Sequence, residues 1–309
     1  MTVIDINSYD YGALCEFARG AGCDVMQNAS LAERTTFRIG GECAALITPK
    51  TDSALSEVIK FINTNALPYT VLGNGSNVVA PDEFYGKAVI RISDGLTQLN
   101  LIDDTTVYCG AGVKLTSLCR FALENSLSGL EFAYGIPGSC GGAAFMNAGA
   151  YGGEMKDVVT KVYHITPHGE RGELTAAEAS FGYRTSAYKA NNCIITGIEV
   201  KLVKGDRDEI RGKMEDLMKR RKDKQPLEFP SAGSTFKRPE GYFAGALIEQ
   251  CGLKGKSVGG AAVSEKHAGF VINKGGATAA DVKALIELVQ STVKQETGVT
   301  LEPEVIFLR

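Results

Sequence analysis

No Cys-x-x-Cys pair occurs among the eight cysteines, which are scattered singly and mostly inside apolar patterns, as at Cys43, Cys109, Cys119 and Cys193. Such spacing offers neither a zinc site nor a disulfide framework. The three histidines, His164, His168 and His267, also lack metal-ligand spacing and read as surface or turn residues, so no metal is expected. No stretch approaches the roughly 18–20 apolar residues that a membrane-spanning helix needs. The first thirty residues carry Asp5, Asp10 and Glu16 and no long apolar run, so no signal peptide is expected. The formal net charge is only −3, which gives no general electrostatic case for nucleic acid or an anionic membrane. A cytoplasmic location is the natural expectation.

What is present is a globular composition. At 309 residues, 44% apolar and 22% charged, the chain suits two or three domains with cores of their own. Residues 52–64 place Leu55, Val58, Ile59 and Ile62 on one face after Thr51, as a capped amphipathic helix does. Helical spacing returns over 114–126, 206–222 and 281–294. Tyr69–Leu72, Ala88–Ile92, Thr106–Cys109, 158–165, 193–203 and Val305–Leu308 read as strands. The helix over 206–222 ends in the basic cluster KRRKDK, which reads as a solvated helix end favoured by the helix dipole. The order suggests α+β architecture with boundaries near 93 and 205.

Several familiar signatures fail. Gly255-Lys256-Ser257 imitates the end of a phosphate-binding loop, but its first glycine would fall at Gln250. Ser186-Ala187-Tyr188-Lys189 matches the Ser-x-x-Lys of acyl-enzymes without the companion elements. No strand–GxGxxG–helix unit with a following acid is present.

Two glycine-rich segments hold. Val71-Leu72-Gly73-Asn74-Gly75-Ser76-Asn77 is a strand running into a turn whose consecutive backbone N–H groups suit an anion. GIPGSCGGAAFMNAGAYGG, residues 135–153, is a run of small residues that lets the backbone approach a large ligand. Each alone is equally consistent with a tight structural loop. The pair points to a dinucleotide.

The two segments resemble the FAD-binding loops of the UDP-N-acetylenolpyruvoylglucosamine reductase family. The resemblance runs from about Thr35 to Glu304. Thr36-Phe37-Arg38-Ile39-Gly40-Gly41 is similar to the family's opening element, Tyr183-Arg184-Thr185-Ser186 to its Tyr-Arg-x-Ser element, and Gly233-Ser234-Thr235-Phe236-Lys237 to its Gly-Ser-x-Phe-Lys element. Leu247-Ile248-Glu249, Gly252 to Gly255, Gly259-Gly260-Ala261, His267 to Asn273 and Leu301 to Val305 follow in the family's order. The chain passes from Ser186 through YKANNC straight into Ile194–Ile195, which matches the shorter subtype that lacks a tyrosine-bearing insertion. No substrate-capping tyrosine is therefore named.

The resemblance implies a two-subdomain FAD-binding fold of the PCMH/vanillyl-alcohol-oxidase type over 1–93 and 94–205, and a C-terminal α+β substrate-binding domain over 206–309. It implies non-covalent FAD and NADPH as co-substrate. The reaction would be reduction of the enolpyruvyl ether of UDP-N-acetylglucosamine to UDP-N-acetylmuramate, a peptidoglycan precursor. The partners are then small molecules, with a monomer or weak oligomer expected. Cofactor contacts carry over to Arg38, Gly73, Asn74, Gly75, Ser76, Asn77, Gly135, Ile136, Pro137, Gly138, Ser139, Gly141, Gly142, Asn147 and Gly149. Substrate contacts carry over to Tyr183, Lys224 and Lys237, and catalytic roles to Arg184, Ser234 and Glu304.

Those three residue types suit the chemistry. Hydride addition to the vinyl carbon builds negative charge on the neighbouring carbon and its carboxylate. An arginine fork matches a carboxylate, a hydroxyl held in a dry site can give a proton, and a carboxyl can hydrogen-bond the developing acid. Chemistry alone leaves Glu302 and Glu304 open, and the motif selects Glu304. Cys140 is the thiol within the second run; it reads more readily as a packing residue than as a reactive one. Another flavin oxidoreductase, or a silent flavin or nucleotide sensor, would explain the loops but not Arg184, Ser234 and Glu304 together.

Overall fold

The computed structural model describes residues 9–309; Asp5 lies outside them. The chain divides into two compact units, both discontinuous in sequence: Met1–Ala29, Cys43–Asn74 and Gly86–Lys219 form the first, and Ser30–Glu42, Gly75–Tyr85 and Arg220–Arg309 the second. These divisions differ from the expected boundaries at 93 and 205. Short excursions at 30–42 and 75–85 pack with the C-terminal residues, a long-range pairing that local patterning does not carry.

The first unit holds a four-stranded and a five-stranded sheet, besides two short two-stranded pairings. Asp24–Ser30, Glu42–Thr48, Tyr85–Arg91 and Tyr69–Leu72 lie side by side in that order. Tyr69–Leu72 runs parallel to Tyr85–Arg91, with Leu72 opposite Arg91. The second sheet is antiparallel, in the order Arg171–Thr175, Val159–Ile165, Ile194–Lys201, Thr106–Gly110, Leu99–Leu101. Helix Asp52–Thr64 forms where the periodicity predicts it, with Thr51 Oγ1 accepting from Ala54 N at 3.1 Å. Its Leu55, Val58, Ile59 and Ile62 are buried in a core shared with both sheets and with helices Tyr11–Gly20 and Leu115–Glu124. Burial of each such side chain contributes about 1.5–3 kcal/mol.

The second unit has its own core, built on helix Ala279–Thr297 through Val282, Leu285, Ile286, Val289 and Val293. Packed with that helix are Ala244–Gln250 and a three-stranded sheet of Ser257–Val258, Ala261–Val263 and Val271–Asn273. The last strand, Ile306–Phe307, pairs in parallel with Val78–Val79, which directly follows the first glycine turn. The basic helix spans Arg207–Lys224. Its end is not wholly solvated as expected, because Arg221 is buried and its Nη1 donates to Gln225 Oε1 at 3.1 Å. Among the described residues no helix is long and apolar enough to cross a membrane.

Candidate active site

Within the first unit the structure brings the two glycine segments together. Asn74 Nδ2 donates to the Pro137 carbonyl at 2.6 Å. A Cβ placed on Gly73 would lie 2.8 Å from Ser139 Oγ, so only glycine allows this approach. The second run is less of a loop than its composition suggests. Ser139 caps a short helix, Cys140–Phe145, by accepting from Gly142 N at 3.3 Å.

Several glycines of these segments are required by the chain's own packing rather than by a ligand. A Cβ on Gly141 would meet Ala111 Cβ at 2.6 Å, one on Gly149 would meet the Gly153 carbonyl at 2.7 Å, and one on Gly75 would collide with the Arg34 carbonyl. Gly142, in contrast, is exposed and would meet nothing nearer than Ser139 Oγ at 3.3 Å. Gly135 has φ +89°, and the Gly138 carbonyl accepts from Leu115 N at 2.9 Å. The strip from Gly73 and Asn74 across Pro137 and Ser139 to Gly142 thus stays low in side chains, and its residues fit a close-lying flavin nucleotide.

Asn147, expected to touch the cofactor, has a different place. It is fully buried, and its amide donates to Glu154 Oε2 at 3.1 Å and to the Gly182 carbonyl at 2.9 Å. Its Oδ1 accepts from Lys156 N at 2.9 Å. With both donors and the acceptor engaged inside the protein, Asn147 is a clasp between the glycine run and the turn that carries Arg184. No local pattern in the sequence carries this role.

That turn is closed by reciprocal Gly182–Thr185 backbone hydrogen bonds of 3.0 and 3.2 Å. Ser186, buried, donates from its hydroxyl to the Phe145 carbonyl at 2.8 Å. Arg184 is held at φ +55°, where a non-glycine residue is strained. Its guanidinium donates to the Gly149 carbonyl at 3.4 Å and lies 5.2 Å from the centre of the Tyr183 ring. Tyr183 itself is exposed.

The second unit carries the other candidates. Phe37 and Ile39 are buried in its core on either side of Arg38, which is exposed at φ +56°. Thr36 Oγ1 donates to the Ser231 carbonyl at 2.7 Å, and Asn273 Nδ2 donates to the Phe37 carbonyl at 3.2 Å. Asn77 Nδ2 donates to the Glu304 carbonyl at 3.2 Å. Ser234 is exposed between Gly233, at φ +75°, and the buried Thr235. Thr235 is fixed on three sides: its N–H donates to Gly269 O at 2.9 Å, its Oγ1 accepts from Val271 N at 2.9 Å, and its carbonyl accepts from Glu304 N at 2.8 Å.

Glu302 and Glu304 flank Pro303, which bridges to Phe236. Their surroundings differ: Glu302 is exposed and takes an ion pair from Lys237 Nζ at 2.9 Å, and its carbonyl also accepts from Lys237 N at 2.8 Å. Lys237, expected to meet substrate, is therefore already paired. Lys224 ends the basic helix and is exposed. Cys140 is completely buried, and burial pushes its thiol well above the ordinary value, so it is a packing residue. His164 is not at the surface as expected but buried on Val159–Ile165, with Nδ1 3.0 Å from the Tyr188 hydroxyl.

Comparison with known proteins agrees with this layout. A FAD-binding domain profile matches residues 43–175, and these residues include the Gly73 turn and the second glycine run. The class so defined is a FAD-binding oxidoreductase. A profile for the C-terminal domain of UDP-N-acetylenolpyruvoylglucosamine reductase matches residues 225–308. The chain is 47% identical over 287 residues to the UDP-N-acetylenolpyruvoylglucosamine reductase of Geobacillus thermodenitrificans, covering 92% of this chain and 93% of that one. It is 46% identical over 283 residues to that of Clostridium botulinum, covering 91% and 92%. The crystal structure of the reductase from Thermus caldophilus superposes with a TM-score of 0.78 at 35% identity, covering 93% of this chain and 99% of that one. The chain belongs to the UDP-N-acetylenolpyruvoylglucosamine reductase family.

Proposed function

We propose that this protein reduces UDP-N-acetylglucosamine enolpyruvate to UDP-N-acetylmuramate, with NADPH as the source of electrons. FAD, when bound and reduced, supplies the hydride that adds to the terminal vinyl carbon. Gly73, Asn74, Pro137, Ser139 and Gly142 hold it by close backbone approach.

The chain's own residues supply the rest. The Arg184 fork holds the substrate carboxylate and balances the charge that spreads onto it. Ser234 gives its proton to the carbon bearing the ether oxygen, so that hydride and proton together convert the vinyl group to a lactyl group. Glu304 hydrogen-bonds the developing acid. Tyr183 and Lys224 are assigned to substrate contact, and Arg38 to the cofactor. The observation that carries this reading is the 2.8 Å hydrogen bond from Glu304 N to Thr235 O, which fixes the Glu304 backbone beside the residue that follows Ser234.

The decisive assay is NADPH oxidation by the purified protein with and without the enolpyruvyl sugar nucleotide. A yellow protein whose NADPH turnover rises on adding that substrate is expected. A protein that takes up no FAD, or a turnover indifferent to the sugar nucleotide, would sink the proposal.

A further inference from the structure

The Ser-x-x-Lys spacing of Ser186 and Lys189, which carries no acyl-enzyme chemistry, has another use in the fold. Both side chains end on backbone carbonyls around the Arg184 turn. Ser186 Oγ donates to Phe145 O at 2.8 Å, which ties the chain just after the turn to helix Cys140–Phe145. Lys189 Nζ donates to the carbonyl of Arg184 itself at 2.6 Å. A charged donor at this length makes a stronger hydrogen bond than a neutral one.

Arg184 needs such a hold. Gly182 and Thr185 close a two-residue turn, and Arg184 is its second central residue, at φ +55°. Positive φ at that position is ordinarily met by glycine or asparagine, and an arginine is strained there. Relaxation to negative φ would re-aim the Cα–Cβ bond, and the guanidinium with it. Lys189 reaches the turn from a fixed base, the single-turn helix Tyr188–Asn191. Tyr188 is 1% exposed, with its hydroxyl 3.0 Å from His164 Nδ1 and 3.4 Å from Val162 O. Ala187 N donates to Ala179 O at 2.8 Å just before that helix. Asn147 holds the turn at Gly182, and Lys189 holds it at the strained residue.

We propose that Lys189 is a positioning residue for recognition of the substrate carboxylate: it holds the strained Arg184 backbone so that the guanidinium fork meets that group, and it does not touch the substrate itself. This rests on the functional reading above, in which Arg184 binds the carboxylate.

The test compares FAD-loaded wild type, Lys189→Met, Lys189→Arg, Arg184→Gln and the double variant Lys189→Met with Arg184→Gln. Calorimetry measures binding of UDP-N-acetylmuramate, which carries the carboxylate, and of UDP-N-acetylglucosamine, which lacks it. Stopped-flow absorbance follows flavin reduction by NADPH, and steady-state rates give the KM for the enolpyruvyl sugar nucleotide. Lys189→Met is expected to weaken UDP-N-acetylmuramate about five- to tenfold and to raise that KM alike, with UDP-N-acetylglucosamine binding and flavin reduction unchanged. Lys189→Arg, which keeps a charged donor of similar reach, should recover most of the loss. In the Arg184→Gln background Lys189→Met should add no further loss, because it acts through Arg184. Equal weakening of the two sugar nucleotides, or a loss that persists in Arg184→Gln, would put the ammonium on the substrate and overturn the inference. A lower urea midpoint with unchanged UDP-N-acetylmuramate binding would leave the lysine a structural role only and overturn it too. Wild-type protein whose NADPH turnover ignores the enolpyruvyl sugar nucleotide overturns the functional reading and this inference with it. Normal wild-type turnover with Lys189→Met indistinguishable from it overturns this inference alone.

Discussion

Glu304 donates its backbone N–H to the carbonyl of Thr235 at 2.8 Å, and Thr235 is in turn held by Gly269 and Val271. Ser234 therefore projects from a segment whose next residue cannot shift, which is what a proton donor in the proposed reaction needs. Replacing Ser234 with Ala should leave flavin bleaching by NADPH intact and slow sugar-nucleotide reduction by about 10²- to 10⁴-fold. Stopped-flow absorbance separates the two half-reactions. If both fell together, Ser234 would be structural or cofactor-binding rather than the proton donor.

Asn147 offers a test of positioning rather than chemistry. Its side chain ties Glu154, Lys156 and Gly182 together from a fully buried position, at φ +42°. Asn147→Ala strands a buried carbonyl and removes the clasp on the Arg184 turn, at a cost of about 2–4 kcal/mol. Urea unfolding measures that cost. In protein that remains folded, the KM for the sugar nucleotide should rise, because the turn presenting Arg184 loosens. A variant as stable as wild type with unchanged KM would show that Gly182 needs no such tether.

The elements that were legible in the sequence are those with regular apolar periodicity. Thr51 and the spacing of Leu55, Val58, Ile59 and Ile62 mark out Asp52–Thr64, and Val282 to Val293 mark the core face of Ala279–Thr297. Helix Cys140–Phe145 was hidden because glycine and alanine in a row read as loop, and a serine cap with six residues is too little signal. Strand Glu42–Thr48, buried along nearly its whole length, has no alternation to betray it. The family motifs nominated Arg184, Ser234 and Glu304, yet motif order says nothing about what holds them. Asn147 and Thr235 do that holding, and Asn273 holds the backbone beside Arg38 in the same way, through side-chain to backbone hydrogen bonds over as many as 236 residues of sequence separation, which no local pattern reports.

The start of helix Ala279–Thr297 is capped twice. Thr278 and Asp281 form a capping box, and the Asp82 carboxylate accepts from Ala279 N at 2.7 Å and Ala280 N at 3.2 Å. Three acceptors at one helix start satisfy orphan N–H groups and favour the positive end of the helix dipole. Asp82→Ala should lower stability by about 1–2 kcal/mol, and Asp82→Asn by less, since the amide oxygen still accepts. Equal losses for the two variants would show that charge rather than hydrogen bonding carries the effect. No loss in either would show that the capping box suffices.

His164 predicts a pH dependence with a definite sign. Burial lowers its pKa from the ordinary 6.5, and burial acts in the same direction on His267. The folded protein therefore binds these protons less readily than the unfolded chain does. Above about pH 6.5 both states are neutral and the full stability is present. As pH falls below that value the unfolded chain protonates first and stability declines, until the folded-state pKa is passed and the loss is complete. Urea midpoints measured at pH 7.5 and 5.5 should fall for wild type on acidification. His164→Gln removes the titrating ring at the Tyr188 contact and should show a smaller fall, with His267 accounting for part of what remains. Identical falls in the two proteins would mean that His164 charges freely in the folded state, and that its contact with Tyr188 opens to solvent as it does so.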